Sequence, residues 1–192
     1  MSAHLSDIAI IIDDERIPCH KTILAATSPF FEKCLFVEKH VGDELNLETS
    51  KQPFLAALKF MYTGEVEFDN IDEDRLIDVF LLSQSLQIKP LVYLIEHRLN
   101  GIEISTKNVG KIYAALSANN STLLNKCWQF IEHNSESVIA DADSFSKFSY
   151  DLILEIVKRD TFFAAEIDIF KALVEWQMNN DNADLTESLL TL

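Results

Sequence analysis

The sequence predicts an α+β N-terminal half, built as a small sheet flanked by helical hairpins, followed by an all-α half. Three observations carry this expectation. A β-branched run, Ile8-Ala9-Ile10-Ile11-Ile12, leads through the charged turn Asp13-Asp14-Glu15 into a second short run, Arg16 to Cys19. The stretch Pro18 to Phe36 then holds two short, mostly apolar helical faces that meet at Ser28-Pro29. From Pro53 onward, apolar residues recur at helical spacing as far as Met178.

Taken in order, Ile8 to Ile12 and Arg16 to Cys19 form a hairpin. Ile23, Leu24, Ala26 and Thr27 give the first compact helical face. Ser28 is placed to cap the next helix, with Pro29 at its first position, where a missing N–H is no loss. Phe30, Phe31, Cys34 and Leu35 continue that helix. Val37 to Asp43 is a polar connection, and Glu44-Leu45-Asn46-Leu47-Glu48 alternates as a half-buried third strand does. Phe54, Leu55, Leu58, Met61 and Tyr62 share one helix face, closed by Thr63-Gly64. Val66 to Phe68 reads as a short strand. Asp72 caps a longer helix bearing Leu76, Val79, Phe80 and Leu82 to Leu86, with Glu73 and Asp74 at its positive end. Pro90 restarts the chain, and Leu91, Leu94, Ile95 and Leu99 form the helix before Asn100-Gly101.

Gly101 to Thr106 is the expected boundary, dividing the chain into domains 1–101 and 102–192. Four helices are expected beyond it: Val109 to Ser117, Thr122 to His133, Ser149 to Val157 and Ile167 to Met178. Short polar breaks separate them, as antiparallel helical hairpins require.

The 192 residues are 48% hydrophobic, enough for one large or two small cores. No apolar run is long enough to span a membrane, and MSAHLSD lacks the basic-then-apolar order of a secretory signal. Cys19, Cys34 and Cys127 are odd in number and widely spaced, which points to a reducing, cytoplasmic setting. The net charge of −15 is shared: 17 acids face 9 bases in residues 1–100, and 14 face 7 in the rest. Both halves are therefore acidic, and nucleic acid is not an expected partner. The acidity is either a solvated surface or a patch that steers a basic partner.

Read together, Leu5-Ser6-Asp7-Ile8, the strand pair, Arg16-Ile17-Pro18-Cys19-His20-Lys21, Leu24-Ala25-Ala26-Thr27-Ser28-Pro29-Phe30-Phe31 and Phe60-Met61-Tyr62-Thr63-Gly64 resemble the BTB/POZ domain. The second half resembles the BACK domain that follows BTB in many adaptor proteins. Asn108-Val109, Phe145 to Ser149 with Tyr150 to Lys158, Ile156 to Phe162 and Glu166 to Trp176 carry that likeness. The resemblance implies a BTB/POZ domain and a BACK domain that is expected to run on past Leu192. A discoidin-like or kelch-type client module is expected further along.

The chemistry that such a chain needs for catalysis is missing from its motifs. His4, His20, His40, His97 and His133 are scattered, without H-E-x-x-H or any metal-ligand spacing. There is no G-x-S-x-G, P-loop or G-x-G-x-x-G, and four glycines leave little for a phosphate cradle. Cys19-His20 is the one Cys/His adjacency, and neighbouring strand residues point to opposite faces. His20 is expected to hydrogen bond at the strand–helix junction. Asp13-Asp14 and Glu73-Asp74 are explained by a turn and a helix start, and Trp128 and Trp176 by apolar helix faces. The chain is expected to be no enzyme and to need no cofactor or metal.

What remains is recognition between proteins. The resemblance implies self-association through the BTB domain and binding of cullin-3 to build a ubiquitin ligase that receives an unknown client protein. By the family's pattern, cullin contact falls on Phe36 to Glu44, through Phe36, Val41 and Asp43. Here Val41-Gly42-Asp43 stands for a hydrophobic-x-acid pattern, in a loop shorter than the family's and with aspartate where glutamate is usual. Asp7 and Lys21 match the charged pair lining the groove near the dimer interface. The family's N-terminal dimer helix would precede Leu5-Ser6-Asp7, where this sequence has only Met1 to Leu5. Two readings follow: a substrate adaptor of a cullin-3 ligase, or an oligomerisation scaffold with no ubiquitin role.

Overall fold

In the computed structural model, residues 5–38, 42–66, 71–116 and 122–180 are described. The short strand expected at Val66 to Phe68, Val41 of the candidate surface, His4, His40 and Ser117 fall wholly or partly outside the described residues. The chain divides into two units, Met1–Leu99 and Asn100–Leu192.

In the first unit, β1 (Ile8–Ile12) and β2 (Glu15–Cys19) pair antiparallel, with Ile8 opposite Cys19 and Ile12 opposite Glu15. The connecting residues Asp13 and Asp14 have φ of 50° and 62°. A tight hairpin needs this left-handed pair, and aspartate tolerates it better than most side chains. β3 (Glu44–Asn46) runs parallel to β1 on its other side, so the sheet order is β2-β1-β3. It is shorter than the Glu44 to Glu48 expected, although Leu47 N–H still donates to Ile11 O at 3.0 Å. Central β1 buries Ile8, Ala9, Ile10 and Ile12, on both faces of the sheet.

Helices α1 (Lys21–Thr27) and α2 (Pro29–Glu32) meet at Ser28, and a π-helical turn (Lys33–Val37) follows directly. The Ser28 hydroxyl accepts the Phe31 N–H at 3.2 Å and donates to the Leu86 carbonyl at 2.5 Å. It is fully buried, so both bonds are made away from water. Helix α3 (Lys51–Thr63) starts two residues before Pro53, which sits in the first turn where its lost N–H costs nothing. Gly64 ends α3 with φ of 73°. Helix α4 (Glu73–Ser85) is capped by the Asp72 carboxylate, which accepts the Arg75 N–H at 2.8 Å. It ends without a glycine: Gln87 takes φ of 58°, while Ile88 N–H reaches Ser83 O and Gln87 N–H reaches Gln84 O. Helix α5 (Lys89–Leu99) completes the unit. Phe31, Phe54 and Phe80 are buried to zero exposure, each contributing about 2–3 kcal/mol.

In the second unit, α6 (Thr106–Leu116), α7 (Thr122–His133), α10 (Tyr150–Lys158) and α11 (Glu166–Asn179) lie where helical periodicity put them. Two short helices not foreseen, α8 (Ser135–Ala140) and α9 (Ala142–Phe145), fill the segment between α7 and α10. Helix α6 packs on α7, α9 and α10, and α11 on α8 and α9. Phe148 is the pivot. Its carbonyl accepts the buried Trp176 Nε1–H at 2.9 Å, and its ring fills the space that Gly110 leaves on α6. A Cβ at residue 110 would stand 2.4 Å from Phe148 Cδ1.

The N-terminus of α6 is tied by a reciprocal set of polar bonds. Asn108 Oδ1 accepts the Ser105 N–H at 2.9 Å, and Asn108 Nδ2 donates to Glu103 O at 3.0 Å. Thr106 Oγ1 donates to Asp141 Oδ2 at 2.7 Å, while Asp141 also caps α9 through the Ser144 N–H and hydroxyl. The Thr106 hydroxyl first, then the Ser144 hydroxyl, hold the Asp141 carboxyl below the usual carboxylate range.

Three outcomes are expected. Ser28→Ala removes a cap and orphans a buried carbonyl, and should lower the far-UV unfolding transition by about 2 kcal/mol in denaturant titration. Both tryptophans lie in the second unit, so their emission reports its unfolding. Gly110→Ala should lower that emission transition by about 1–3 kcal/mol, because the ring and the helix must part. For Asp141 the sign follows from the lowered pKa: the stabilisation is complete above the unfolded value of about 3.9 and is lost as pH falls through the folded value. Thr106→Val should therefore move the Asp141 titration upward in a carboxyl-carbon NMR experiment. An unchanged titration would contradict the hydrogen bond's role.

Candidate partner-binding surface

Of the candidate residues, Asp7, Lys21 and Asp43 gather where β1, the start of α1 and the entry to β3 converge. Asp7 stands just ahead of β1, its N–H bound to Cys19 O at 3.2 Å. Its carboxylate accepts the Lys21 backbone N–H at 2.8 Å. Helix α1 needs this, because its cap residue His20 makes no side-chain cap bond, and an anion at a helix start also suits the dipole. The Lys21 ammonium reaches elsewhere, donating to Gly42 O at 3.2 Å. The structure thus brings Asp7 and Lys21 together through the backbone amide, and joins Lys21 to the residue beside Asp43.

Asp43 is held at the sheet. Its carbonyl accepts the Ala9 N–H at 2.7 Å, extending the β1–β3 ladder by one bond. Its side chain is 81% exposed and lies 3.6 Å from Arg16 Nη2. The same guanidinium meets Glu44 Oε1 at 2.6 Å, so Arg16 reaches from β2 across β1 to β3. Ion pairs this exposed contribute about 0–1 kcal/mol, which leaves Asp43 and Glu44 open to a competing basic group. The Lys51 ammonium pairs likewise with Glu15.

Phe36 lies on the π-turn, half exposed, and the adjacent Val37 is 69% exposed. Leu35 and Phe31 are buried, and Glu38 N–H closes the turn on Lys33 O at 2.9 Å. The extra residue in a π-turn rotates the chain relative to a regular helix, so two successive apolar side chains face solvent here. Lys33 pairs with Glu38 at 3.3 Å beside them. Val41, the third residue of the candidate cullin contact, is outside the described residues. An exposed aromatic beside acids is suited to anchoring in a protein partner's pocket.

His20 sits at the strand–helix junction. Tyr62, on the last turn of α3, accepts the His20 N–H at 3.0 Å and hydrogen bonds ring Nδ1 at 2.7 Å. Burial pushes the Tyr62 hydroxyl upward. The Cys19 thiol is pushed up to about 11 and Cys127 to about 12, both mainly by burial, which disfavours the thiolate a nucleophile needs. No group of three or more His, Cys, Asp or Glu that could hold a metal occurs among the described residues. No helix among them is long and apolar enough to cross a membrane.

Sequence reasoning missed two exposed apolar sets. Leu94, grouped in the sequence with Leu91, Ile95 and Leu99, is 39% exposed beside Tyr93 at 70%. On α11, Ile169, Leu173 and Trp176 face the core, whereas Ile167, Phe170 and Met178 face outward, preceded by exposed Phe163. The signal was present as an excess: α11 carries more apolar residues than one helix stripe can bury.

Two family models match the chain: BTB/POZ domain over residues 1–103, and BTB And C-terminal Kelch over residues 109–192. BTB/POZ domain-containing protein 9 of Drosophila melanogaster is 30% identical over 187 residues, covering 96% of this chain and 26% of that protein. The Homo sapiens protein of the same name is 28% identical, with 94% and 30% covered. Kelch repeat and BTB domain-containing protein 3 of Homo sapiens is 25% identical, with 91% and 28% covered. The chain therefore spans less than a third of the length of these relatives. The BTB domain of human gigaxonin matches 48% of this chain and 75% of its own, at 27% identity and a TM-score of 0.44. The likeness read from the sequence is borne out by both family models, and the chain belongs to the BTB/POZ family, with a BACK domain following its BTB/POZ domain.

Proposed function

We propose that this chain is a non-enzymatic substrate adaptor of a cullin-3 ubiquitin ligase, acting in the cytoplasm. BTB and BACK domains, found together with kelch repeats in relatives, mark a protein-interaction adaptor family. Within that frame, the domain division falls after Gly101, and the BTB half self-associates and contacts cullin-3. The observation that carries the reading is the exposed Phe36–Val37 pair on the π-turn, with the weakly engaged acid Asp43 at the entry to β3. An apolar anchor enters a pocket, and the acid meets a basic neighbour once Arg16 is displaced. Asp7 and Lys21 shape the adjacent groove, here through a helix-capping bond.

A scaffold that oligomerises without ubiquitin chemistry is the second reading, favoured by the Arg16 clamp on Asp43 and Glu44. Calorimetric titration with the N-terminal domain of cullin-3, alongside light scattering on the free chain, separates the two. The adaptor reading expects sub-micromolar binding, weakened about tenfold or more by Phe36→Ala or Val41→Asp, as for an interface hot spot. Absence of binding by a stable dimer would leave the scaffold.

A further inference from the structure

We propose that Thr161 is a phosphorylation site for a basic-directed serine/threonine kinase, and that its phosphate opens a clasp holding the α10–α11 turn against α7. The turn lies in the second unit.

Three observations meet at this residue. First, Thr161 is exposed, in a turn closed by the Phe162 N–H on Arg159 O at 3.3 Å. Second, the sequence around it is Lys158-Arg159-Asp160-Thr161-Phe162. Two bases sit at the second and third positions before the hydroxyl and an apolar residue directly after, the pattern that basic-directed kinases read. The motif alone would be weak. Third, the hydroxyl is part of a built polar cluster. Thr161 Oγ1 donates to Glu132 Oε1 at 2.7 Å, and the same oxygen accepts from Arg159 Nη1 at 2.9 Å. The Arg159 guanidinium also lies 3.8 Å over the Trp128 ring, a cation–π contact, and its buried Nε–H has no hydrogen-bond partner. Ser135 adds a hydroxyl bond to the Phe163 carbonyl of the same turn.

Modification would invert this cluster. Thr161 Oγ attacks the γ-phosphorus of Mg-ATP, the bond to the β,γ-bridging oxygen breaks, ADP leaves, and the hydroxyl proton passes to the kinase's base. The new group carries a charge of about −1.5 to −2 at neutral pH. It replaces a hydrogen-bond donor facing Glu132 with an anion, so attraction between turn and helix becomes repulsion. The same anion lies two residues from a guanidinium with an unused N–H, and a phosphate competes well against one carboxylate for arginine. Arg159 is thereby drawn from Glu132 toward the turn, and the tie to α7 is lost. Phe163, 75% exposed in that turn, leads into the outward apolar side chains Ile167 and Phe170 of α11. The modification would thus change how this face is presented.

The test treats the full chain with the catalytic subunit of cAMP-dependent kinase and Mg-ATP, then maps phosphate by tandem mass spectrometry and compares amide exchange across residues 159–164. Phosphate on Thr161 is expected, retained in Thr161→Ser and lost in Thr161→Ala. Exchange over 159–164 should quicken about tenfold, with changed Trp128 emission, as a local opening predicts. Absence of phosphate from Thr161 in the unmodified sequence would overturn the site. Phosphate there with unchanged exchange and emission would overturn the clasp.

Discussion

The buried hydroxyl of Ser28 is the constraint on which the first unit depends. One side chain caps α2 through Phe31 and, by donating to Leu86, fixes the end of α4 against the α1–α2 corner. The two partners are 58 residues apart, so this bond joins the sheet-and-corner segment to the later helices. Satisfying it requires α4 to stop where it does, and the left-handed Gln87 follows from that stop. With the corner fixed, the π-turn leaves α2 in one direction and presents Phe36 and Val37 outward. The exposed apolar pair is therefore a consequence of buried polar geometry.

The second unit obeys a steric constraint of the same rank. Phe148 is held by its carbonyl to Trp176 and by its ring to the bare backbone of Gly110. Helices α6 and α11 and the start of α10 are thereby referred to one residue. The polar ties around it, Thr106 to Asp141 and Glu132 to Arg159 and Thr161, lie nearer the surface, where bonds are weaker and more easily exchanged. Buried bonds set the frame, and the bonds nearer the surface are the more easily exchanged.

Caps and periodicity were legible because their chemistry lies within a few residues. Ser28-Pro29, Asp72 and Gly64 each act at the position the sequence indicated. Helices α8 and α9 were not legible, since six- and four-residue segments hold too little periodicity to announce themselves. The end of α4 was hidden because glutamine, not glycine, takes the left-handed position. Pairings such as His20 with Tyr62 and Trp176 with Phe148 carry no local signal at all. At the candidate surface, Phe36, Asp43, Asp7 and Lys21 were nameable from the family's pattern. The Arg16 clamp and the Lys21–Gly42 bond were not, because they arise from the parallel pairing of β3 with β1, nor was the exposure of Val37, which arises from the π-turn.

The proposed adaptor role rests on two exposed features, the π-turn and the entry to β3. The most direct measurement is chemical-shift mapping of the isotopically labelled chain during addition of the N-terminal domain of cullin-3. The account predicts perturbations concentrated at Phe36, Val37, Asp43 and Arg16, with the second unit's tryptophan signals unmoved. Perturbations confined to other surfaces, or none at saturating cullin-3, would contradict it.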